Sequence, residues 1–356
     1  MKQFWRPLAA IALIAVAACG SGKPKEVPQV TFAYPSDTVL TRYVNLPGAA
    51  WLGDGRWVVV AGEFNEAAIV DFGSKASLAL GGKGEAELRN PYAVFASGDT
   101  AYVADWALRR VTRWTAAGKL AGFSGPVNAL KGALPAARDA AGQLYFEIKP
   151  AVMPNGRGSR DSTMVVRASP DQAKFDTVAR LSPLDLAEIE DTQGKRFERR
   201  VFSGLDEWGV FRDGTVWVAR VYQNYLVQLP PVGKPIRGED LPDRVIEVSG
   251  IDRDQFVEQF PEELRLTAER LPFSPIKPPF EHALASPAGL VWLEKSRPAI
   301  DSVRSYQVLD RQGHLAYVVI LPSRQGHVIA LGDSAALVAE QYKEGVRLMQ
   351  VRLPRP

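Results

Sequence analysis

The sequence predicts an all-β fold, a six-bladed β-propeller with short helical insertions. A turn followed by a short apolar strand recurs six times along the 356 residues. The glycines of these turns lie at positions 55, 98, 142, 214, 289 and 332, so three of the five intervals (43, 44 and 43 residues) agree within one residue. Four short strands in a unit of about 43 residues is the spacing of a propeller blade. The other intervals, 72 and 75 residues, exceed one period by about thirty residues and are interpreted as insertions.

The second copy shows the order of strands within a unit. Residues 91–95 form an apolar strand before the turn, and residues 102–104 form the strand after it. Residues 110–114 alternate polar and apolar side chains, as a half-buried strand does. Residues 119–123 supply the outermost strand. This order predicts a four-stranded sheet for each copy, with the first strand lining a central channel.

The last copy is one strand short. It supplies strands at residues 327–331, 335–341 and 346–353, after which the chain stops. Residues 30–34 (Val-Thr-Phe-Ala-Tyr) form an unassigned strand before the first copy. Because an unpaired edge strand leaves N–H and C=O groups open to other chains, we predict that residues 30–34 pair onto the last blade and close the ring.

Both insertions differ from the blades in pattern. Residues 182–200 place three aliphatic residues among acids and predict a short helix or an ordered loop. Residues 251–271 carry an apolar stripe with helical spacing, formed by Phe256, Phe260 and Leu264. Pro261 interrupts this stripe and favours two short helices, with the proline opening the second. We expect both insertions to pack over one end of the ring, either as surface decoration or as a functional lid.

The N-terminus has the pattern of an export signal. Residues 1–6 are basic, and residues 8–17 form an apolar stretch of about ten residues, too short to span a bilayer. The stretch closes with Val-Ala-Ala before Cys19, which resembles a bacterial lipobox. The resemblance implies export, cleavage before Cys19 and attachment of lipid to its sulfur. The alternative is an ordinary signal peptide with an incidental cysteine.

This resemblance implies three parts: a lipoprotein signal peptide (1–18), a lipidated tether (19–28) and a propeller body (29–356). An Asp after the lipidated cysteine usually retains such proteins at the inner membrane, and this chain has Gly20 there. The resemblance therefore implies an outer-membrane anchor facing the periplasm. We expect a monomer that contacts the membrane through the lipid on Cys19.

Composition excludes several functions. Cys19 is the only cysteine, so the sequence offers no disulfide, and its acylation removes thiol catalysis. From residue 27 onward, 39 Lys and Arg face 39 Asp and Glu, so the body is formally neutral. A neutral body lacks the basic footprint of a nucleic-acid-binding protein, and we expect no nucleic-acid partner.

The second copy also resembles the NHL-type repeat. The resemblance rests on residues 90–94 (Asn-Pro-Tyr-Ala-Val), 101–105 (Ala-Tyr-Val-Ala-Asp) and 109–111 (Arg-Arg-Val). Residues 81–85 (Gly-Gly-Lys-Gly-Glu) resemble the loop that joins blades in bacterial six-bladed propeller lipoproteins. The same glycines lack the GxxxxGK[ST] spacing of a phosphate-binding loop, so a blade connector is the better interpretation.

A charged residue lies near the end of the second strand in every copy, where propellers usually bind ligands at the channel mouth. These candidate ligand-binding residues are Glu63, Asp105, Lys149, Arg220, Lys295 and Glu340. Their mixed signs suit a polar or zwitterionic ligand. The alternative is that they are solvated rim charges, with Asp105 capping a turn. Three aromatic residues near strand ends either contact a ligand or pack at the rim: Trp106, Tyr222 and Tyr225.

Three further candidates lie on successive innermost strands and are predicted to line the channel: Glu207, His282 and His327. Carboxylate and imidazole groups that converge on an axis can hold a divalent metal. Six-bladed lactonases similar to gluconolactonase use such a channel metal. A channel metal therefore stays an open alternative, although we expect no cofactor.

No catalytic constellation is recognisable, and the GxSxG motif of serine hydrolases does not occur. The first functional hypothesis is a non-catalytic binding or scaffolding module that engages an envelope protein, a peptide or a glycan. The alternative is an enzyme, a metal-dependent lactonase or lyase-type hydrolase that uses the central channel. Metal content and lactone hydrolysis distinguish the two.

Overall fold

The computed structural model describes residues 27–32, 37–149, 163–191, 194–301, 303–322, 325–343 and 345–353. The predicted signal peptide, Cys19 and the tether up to residue 26 lie outside these ranges. Within the described ranges, no helix combines the length and apolar character needed to cross a bilayer.

The first half of the chain forms two short strands and three blades. The short strands are β1 (Gln29–Thr31) and β2 (Thr38–Thr41). Blade 1 contains β3 (Gly48–Gly53), β4 (Arg56–Ala61), β5 (Glu66–Asp71) and β6 (Ala76–Leu80). Blade 2 contains β7 (Pro91–Ser97), β8 (Thr100–Asp105), β9 (Arg110–Thr115) and β10 (Leu120–Ser124). Blade 3 contains β11 (Pro135–Arg138), β12 (Leu144–Ile148), β13 (Met164–Ala168) and β14 (Phe175–Arg180).

The second half contains the two insertions and three blades. The first insertion is β15 (Leu186–Asp191) and β16 (Gly194–Arg199). Blade 4 contains β17 (Glu207–Val210), β18 (Val216–Arg220), β19 (Tyr225–Leu229) and β20 (Ile236–Arg237). The second insertion carries α1 (Gly250–Glu258) and α2 (Glu262–Glu269). Blade 5 contains β21 (Phe280–Ala285), β22 (Val291–Lys295), β23 (Ser305–Leu309) and β24 (Leu315–Ile320). Blade 6 contains β25 (Gly326–Leu331), β26 (Ala335–Tyr342) and β27 (Gly345–Arg352).

The predicted six-bladed propeller is confirmed by the arrangement of the innermost strands. They contact one another in a closed ring, in the order β3, β7, β11, β17, β21, β25 and back to β3. Within each blade the strands pair antiparallel in chain order, so alternate connections share one end of the sheet. We call the end where innermost strands begin the upper face. It holds the connections between blades and the turns after each second strand, and the opposite end is the lower face.

An N-terminal strand closes the last blade, as predicted, but the prediction of residues 30–34 for this role was wrong. β2 pairs antiparallel with β27, with Thr41 opposite Val346. β1 instead joins blade 5 as a fifth strand, parallel to β24. The alternation in β2 explains the difference, since Val39 and Thr41 are buried while Leu40 faces solvent, which suits an outermost strand. Phe32 is buried between blades 5 and 6.

The core lies between neighbouring blades. Trp57 and Leu337 belong to a large buried cluster that joins blades 1 and 6. Another large cluster, around Trp292 and Met349, joins blades 5 and 6. Among the described residues, the buried clusters on either side of blade 3 are smaller. Among the described residues, fewer buried side chains therefore join blade 3 to its neighbours.

Five of the six repeat glycines adopt positive φ angles, which only glycine reaches without strain: Gly55 (73°), Gly98 (61°), Gly142 (83°), Gly214 (82°) and Gly289 (99°). The sixth, Gly332, is needed for space. A Cβ atom there would lie 2.7 Å from the ring of Trp51. The repeat that predicted the fold is thus a repeat of tight turns on the lower face.

The first insertion is a β-hairpin, so the prediction of a short helix or ordered loop was wrong. β15 pairs with β16 along its full length, and Leu186 lies opposite Arg199. Gly194 has a φ of 109° and begins the returning strand. The aliphatic spacing of residues 182–200 did not reveal this two-stranded pairing.

The second insertion contains two helices, as predicted, and Pro261 is the N-cap residue of α2. A capping box of Ser249 and Asp252 begins α1. Four phenylalanine rings pack together with centroid separations of 5.2–6.0 Å: Phe202, Phe256, Phe260 and Phe273. The Val201 amide also donates to the carbonyl of Pro272, at 2.7 Å. The segment that directly follows the first insertion therefore contacts the second insertion on the upper face.

Candidate functional site

The upper face carries a groove that runs past both sides of blade 3. It consists of two cavities, about 890 Å³ between blades 2 and 3 and about 590 Å³ between blades 3 and 4. Ala136, Glu147 and Lys149 line both cavities, so we treat them as one feature, the upper groove. Among the described residues, the buried clusters beside this groove are small. The two cavities provide space for a ligand.

Two aromatic side chains stand at the blade 2 end of the upper groove. Trp106 is 69% exposed and Tyr92 is 45% exposed, with ring centroids 6.4 Å apart and planes at 87°. The Trp106 amide donates to the carbonyl of Asn90 at 2.9 Å, which holds the turn after β8 against the connection from blade 1. Exposed aromatic rings beside a cavity are suited to contact with apolar or planar parts of a ligand.

Glu147 lies at the junction of the two cavities. It projects from β12, and its Oε2 accepts a hydrogen bond from Trp208 Nε1 at 2.9 Å. Its Oε1 lies 3.7 Å from Lys149 Nζ, whose side chain is largely exposed. The indole hydrogen bond connects blade 3 to blade 4 and orients the carboxylate. The lysine is a weak partner because exposed ion pairs are screened by water.

Glu207 begins β17 in the smaller cavity. Burial raises the pKa of Glu207 to about 7, and the nearby negative charges of Glu147 and Asp206 add to the effect, while Arg199 opposes it. His282 Nδ1 lies 4.0 Å from Glu207 Oε1. Among the described residues, no lysine or arginine forms an ion pair with Glu207. Glu207 and Glu147 therefore form a carboxyl pair whose ion-pair contacts, among the described residues, come from the exposed side chains of Lys149 and His282.

Arg199, at the end of β16, reaches the same cavity from the first insertion. Its Nε donates to Ser203 Oγ at 3.1 Å, and its Nη2 donates to the Ser203 carbonyl. Burial lowers the pKa of Arg199. The first insertion thus supplies one wall of the upper groove, although the aliphatic pattern of residues 182–200 gave no sign of it.

The six predicted mouth residues lie near the upper face, and five of them make contacts that shape the turns. Glu63 accepts from the amides of Val44 and Asn45, at 3.1 and 2.9 Å. Asp105 is fully buried and accepts from three amides, at 2.7–3.1 Å. The remaining three form ion pairs: Arg220 with Asp206, Lys295 with Asp243, and Glu340 with Arg347. Of the six, Lys149 lines the upper groove, and a role in ligand binding stays a prediction for all of them.

The three predicted channel residues lie at the upper ends of the innermost strands β17, β21 and β25. Glu207 lines the upper groove, and His282 is beside it. His327 is partly buried, and burial together with Arg304 lowers its pKa. Within the described ranges, no group of three or more His, Cys, Asp or Glu residues has the geometry for a metal ion. Their roles in ligand binding also stay predictions.

The lower mouth of the channel differs from the upper groove. A cavity of about 400 Å³ there is lined by residues of all six innermost strands, many of them alanine. Arg212 Nη2 forms an ion pair with Asp333 Oδ2 at 3.1 Å, which connects blades 4 and 6. Because this mouth is smaller and Arg212 is already paired, the upper groove is the better candidate for a site.

Sequence reasoning missed Glu147, Trp208 as its partner, and Arg199. Glu147 lies in β12, two positions after the buried Tyr145. Extending the alternation of β12 by one step places Glu147 on the face of Tyr145, and this was the available signal. The Trp208 contact has no local signal because the two residues are 61 positions apart.

The fold and the groove define a six-bladed propeller with a ligand-sized depression on one face. No family model and no curated protein matches the sequence. Solved structures do match it. Regucalcin, a calcium-binding protein from Agrobacterium tumefaciens, is 13% identical, with 92% of this chain and 98% of that chain covered and a TM-score of 0.48.

A member of the DUF4221 family from Bacteroides vulgatus is 9% identical, with 91% and 96% of the two chains covered and a TM-score of 0.47. Identities this low concern the fold alone. The assignment of six blades rests on the sheet topology given above, and the choice of ligand must be argued from the groove.

Proposed function

We propose that this protein is a lipid-anchored propeller of the bacterial envelope. In this proposal it acts as a non-catalytic binding module, and the upper groove holds a segment of a protein or peptide, or a glycan. The observation that carries the proposal is the groove itself, two adjoining cavities of about 890 and 590 Å³ that share Glu147 and have exposed Trp106 at one end. No specific observation favours the alternative of a channel lactonase.

The shape of the groove supports binding of an extended ligand. Small-molecule sites are usually enclosed clefts of about 300–1,000 Å³. Here two cavities of that size adjoin along one face and are lined by side chains from three blades. The lining combines apolar residues, aromatic rings and charges of both signs. Such a surface suits a ligand that is longer than one cavity and has both apolar and polar parts.

The proposal of a lipid anchor rests on the lipobox-like segment before Cys19. Expression of the full chain in a Gram-negative host with labelled palmitate should give a labelled protein in the outer-membrane fraction. Cys19→Ala should abolish the label. A wild-type protein without label, or label that persists in Cys19→Ala, contradicts the lipid anchor.

Site-specific crosslinking tests the groove. A photoreactive phenylalanine at Trp106 should give adducts with protein or glycan in intact cells. The same residue at Val232, which is exposed in the lower-face turn after β19, is the matched control and should give none. Adducts of equal yield at both positions, or none at Trp106, contradict a binding role for the upper groove.

A further inference from the structure

We propose that Glu147 and Glu207 together bind the ammonium group of a lysine side chain, so that the upper groove takes a lysine-bearing peptide. This inference rests on the proposed function, since it names the ligand class for the same groove. It goes further by assigning one chemical group of the ligand to one pair of residues.

Among the described residues, no lysine or arginine side chain forms a close ion pair with this carboxyl pair. Asp206 is already neutralised, because Arg220 Nη1 lies 2.7 Å from its Oδ2. Arg199 lines the same cavity and its charge acts on Glu207, but it forms no ion pair with either glutamate, and its Nε and Nη2 donate to Ser203. Lys149 is 3.7 Å from Glu147 but its side chain is 79% exposed, and His282 approaches Glu207 no closer than 4.0 Å. A cation brought by a ligand therefore finds two carboxylates with little competition.

The hydrogen bond from Trp208 prepares the site for a cation. Trp208 Nε1 donates this hydrogen bond to Glu147 Oε2 and fixes the carboxylate in place. The negative charge stays on the carboxylate. The Trp208 indole lines the same cavity, and Tyr92 lines the adjoining one. Carboxylates framed by aromatic side chains are a favourable environment for an ammonium group, because rings and carboxylates both attract positive charge.

Near neutral pH, Glu207 of the empty pair exchanges between its protonated and ionised forms. Burial and the charge of Glu147 raise its pKa to about 7, so a proton takes the place that a bound cation would fill. The other groups that face it are Lys149, Arg199, Asp206 and His282. Since a lysine side chain remains charged to about pH 10, binding should displace the proton, and affinity should rise as Glu207 ionises.

The shape of the groove favours a peptide over a small amine. The smaller cavity has aliphatic walls beside the carboxyl pair, including Leu181, Leu184 and Leu205. The larger cavity continues past Glu147 towards Trp106. An extended chain can place its lysine in the first and its neighbouring residues along the second.

The test uses acetylated and amidated heptapeptides with a central lysine, titrated into the soluble body by calorimetry. The same peptides with acetyl-lysine remove only the charge and serve as the ligand control. We expect the lysine peptides to bind at least tenfold more tightly. For a carboxyl with a pKa of about 7, the ionised fraction rises from about one tenth at pH 6 to about nine tenths at pH 8, so affinity should increase up to about tenfold over this interval.

Two variants test whether Glu207 causes the pH dependence and the preference for lysine. Glu207→Gln should abolish the pH dependence and reduce the preference for lysine over acetyl-lysine to within about twofold. Glu85→Gln is the matched control, because Glu85 is an exposed carboxylate on the same face outside the upper groove, and it should behave as wild type. Thermal melting of each variant verifies that the body is folded.

Each remaining outcome counts against the proposal. Equal affinity for lysine and acetyl-lysine peptides, or no binding of either at millimolar concentration, overturns the ammonium site. Glucosamine that binds more tightly than the lysine peptides, with the same Glu207 dependence, overturns the assignment of a peptide. Crosslinking at Trp106 is independent of these titrations, so the groove as a binding site and the ammonium site within it can fail separately.

Discussion

At the scale of single residues, the position of a carboxylate in a blade decides its role. Asp105 and Glu207 each lie at one end of a strand on the upper face. Asp105 is buried with three amide donors around its oxygens, so its charge holds the turn together. Glu207 is buried and has a second carboxylate nearby, and both raise its pKa. Asp105 therefore stabilises the turn, and Glu207 is the residue to which the proposal assigns binding.

Asp105→Ala should lower the free energy of unfolding by about 2–4 kcal/mol, because the amides of Arg89, Asn90 and Leu108 lose their acceptor in a buried turn. Urea unfolding of the soluble body measures the loss. Asp99→Ala is the matched control at an exposed turn and should change stability by no more than about 0.5 kcal/mol. Equal effects of the two substitutions would contradict the structural role of Asp105.

Glu207→Gln should stabilise the protein in alkaline solution. The pKa of Glu207 is about 7 in the folded state against an ordinary value of 4.5, so the unfolded chain releases this proton first. The contribution of Glu207 to stability therefore falls as pH rises from about 4.5 to 7. The side chain is about one third exposed, so after screening by water the gain in Glu207→Gln at pH 8 is on the order of 1–2 kcal/mol.

The measurement is the difference in unfolding free energy between Glu207→Gln and wild type, taken at pH 5 and at pH 8. It should be small at pH 5 and favour the variant at pH 8. A difference that does not change with pH would show that Glu207 titrates normally.

At the scale of elements, the short strand β2 closes blade 6. It is four residues long, yet it covers the open edge of β27 and joins the two ends of the chain in blade 6. Thr41 Oγ1 donates to the carbonyl of Val346 at 3.0 Å and anchors its upper end. Edge coverage of this kind prevents pairing with other chains.

Two neighbouring substitutions test the closing strand. Val39 is buried and Leu40 is 62% exposed, although they are adjacent in β2. Val39→Asp should destabilise the protein by about 3 kcal/mol or more, since it buries an unpaired charge between blades 1 and 6. Leu40→Asp should remain within about 0.5 kcal/mol of wild type. Melting temperatures of the two variants provide the comparison, and similar values would refute the assignment of β2.

At the scale of the whole molecule, the sequence predicts the ring better than the site. The ring follows from tight turns at fixed intervals, and turns such as those at Gly98 and Gly214 are local properties that any one copy displays. The closing strand was assigned to residues 30–34 because its true sequence, Thr-Val-Leu-Thr, is short and exposes its leucine. Glu207 was among the predicted residues because it lies on the innermost strand that precedes the turn at Gly214. The raised pKa of Glu207 was not predictable, because it depends on burial and on Glu147, a neighbour 60 positions away that the packing of the blades brings close.

The loose packing around blade 3 has a mechanical consequence. Large apolar clusters join the other blades, whereas blade 3 has cavities on both sides. A molecule that fills both cavities would contact blade 3 and its neighbours and stabilise their packing. Amide hydrogen exchange in β12 and β13 should therefore slow more than in β4 and β5 when it binds. Equal slowing in all four strands would count against this. Occupancy of the groove would stiffen the ring most at blade 3 and less at blade 1.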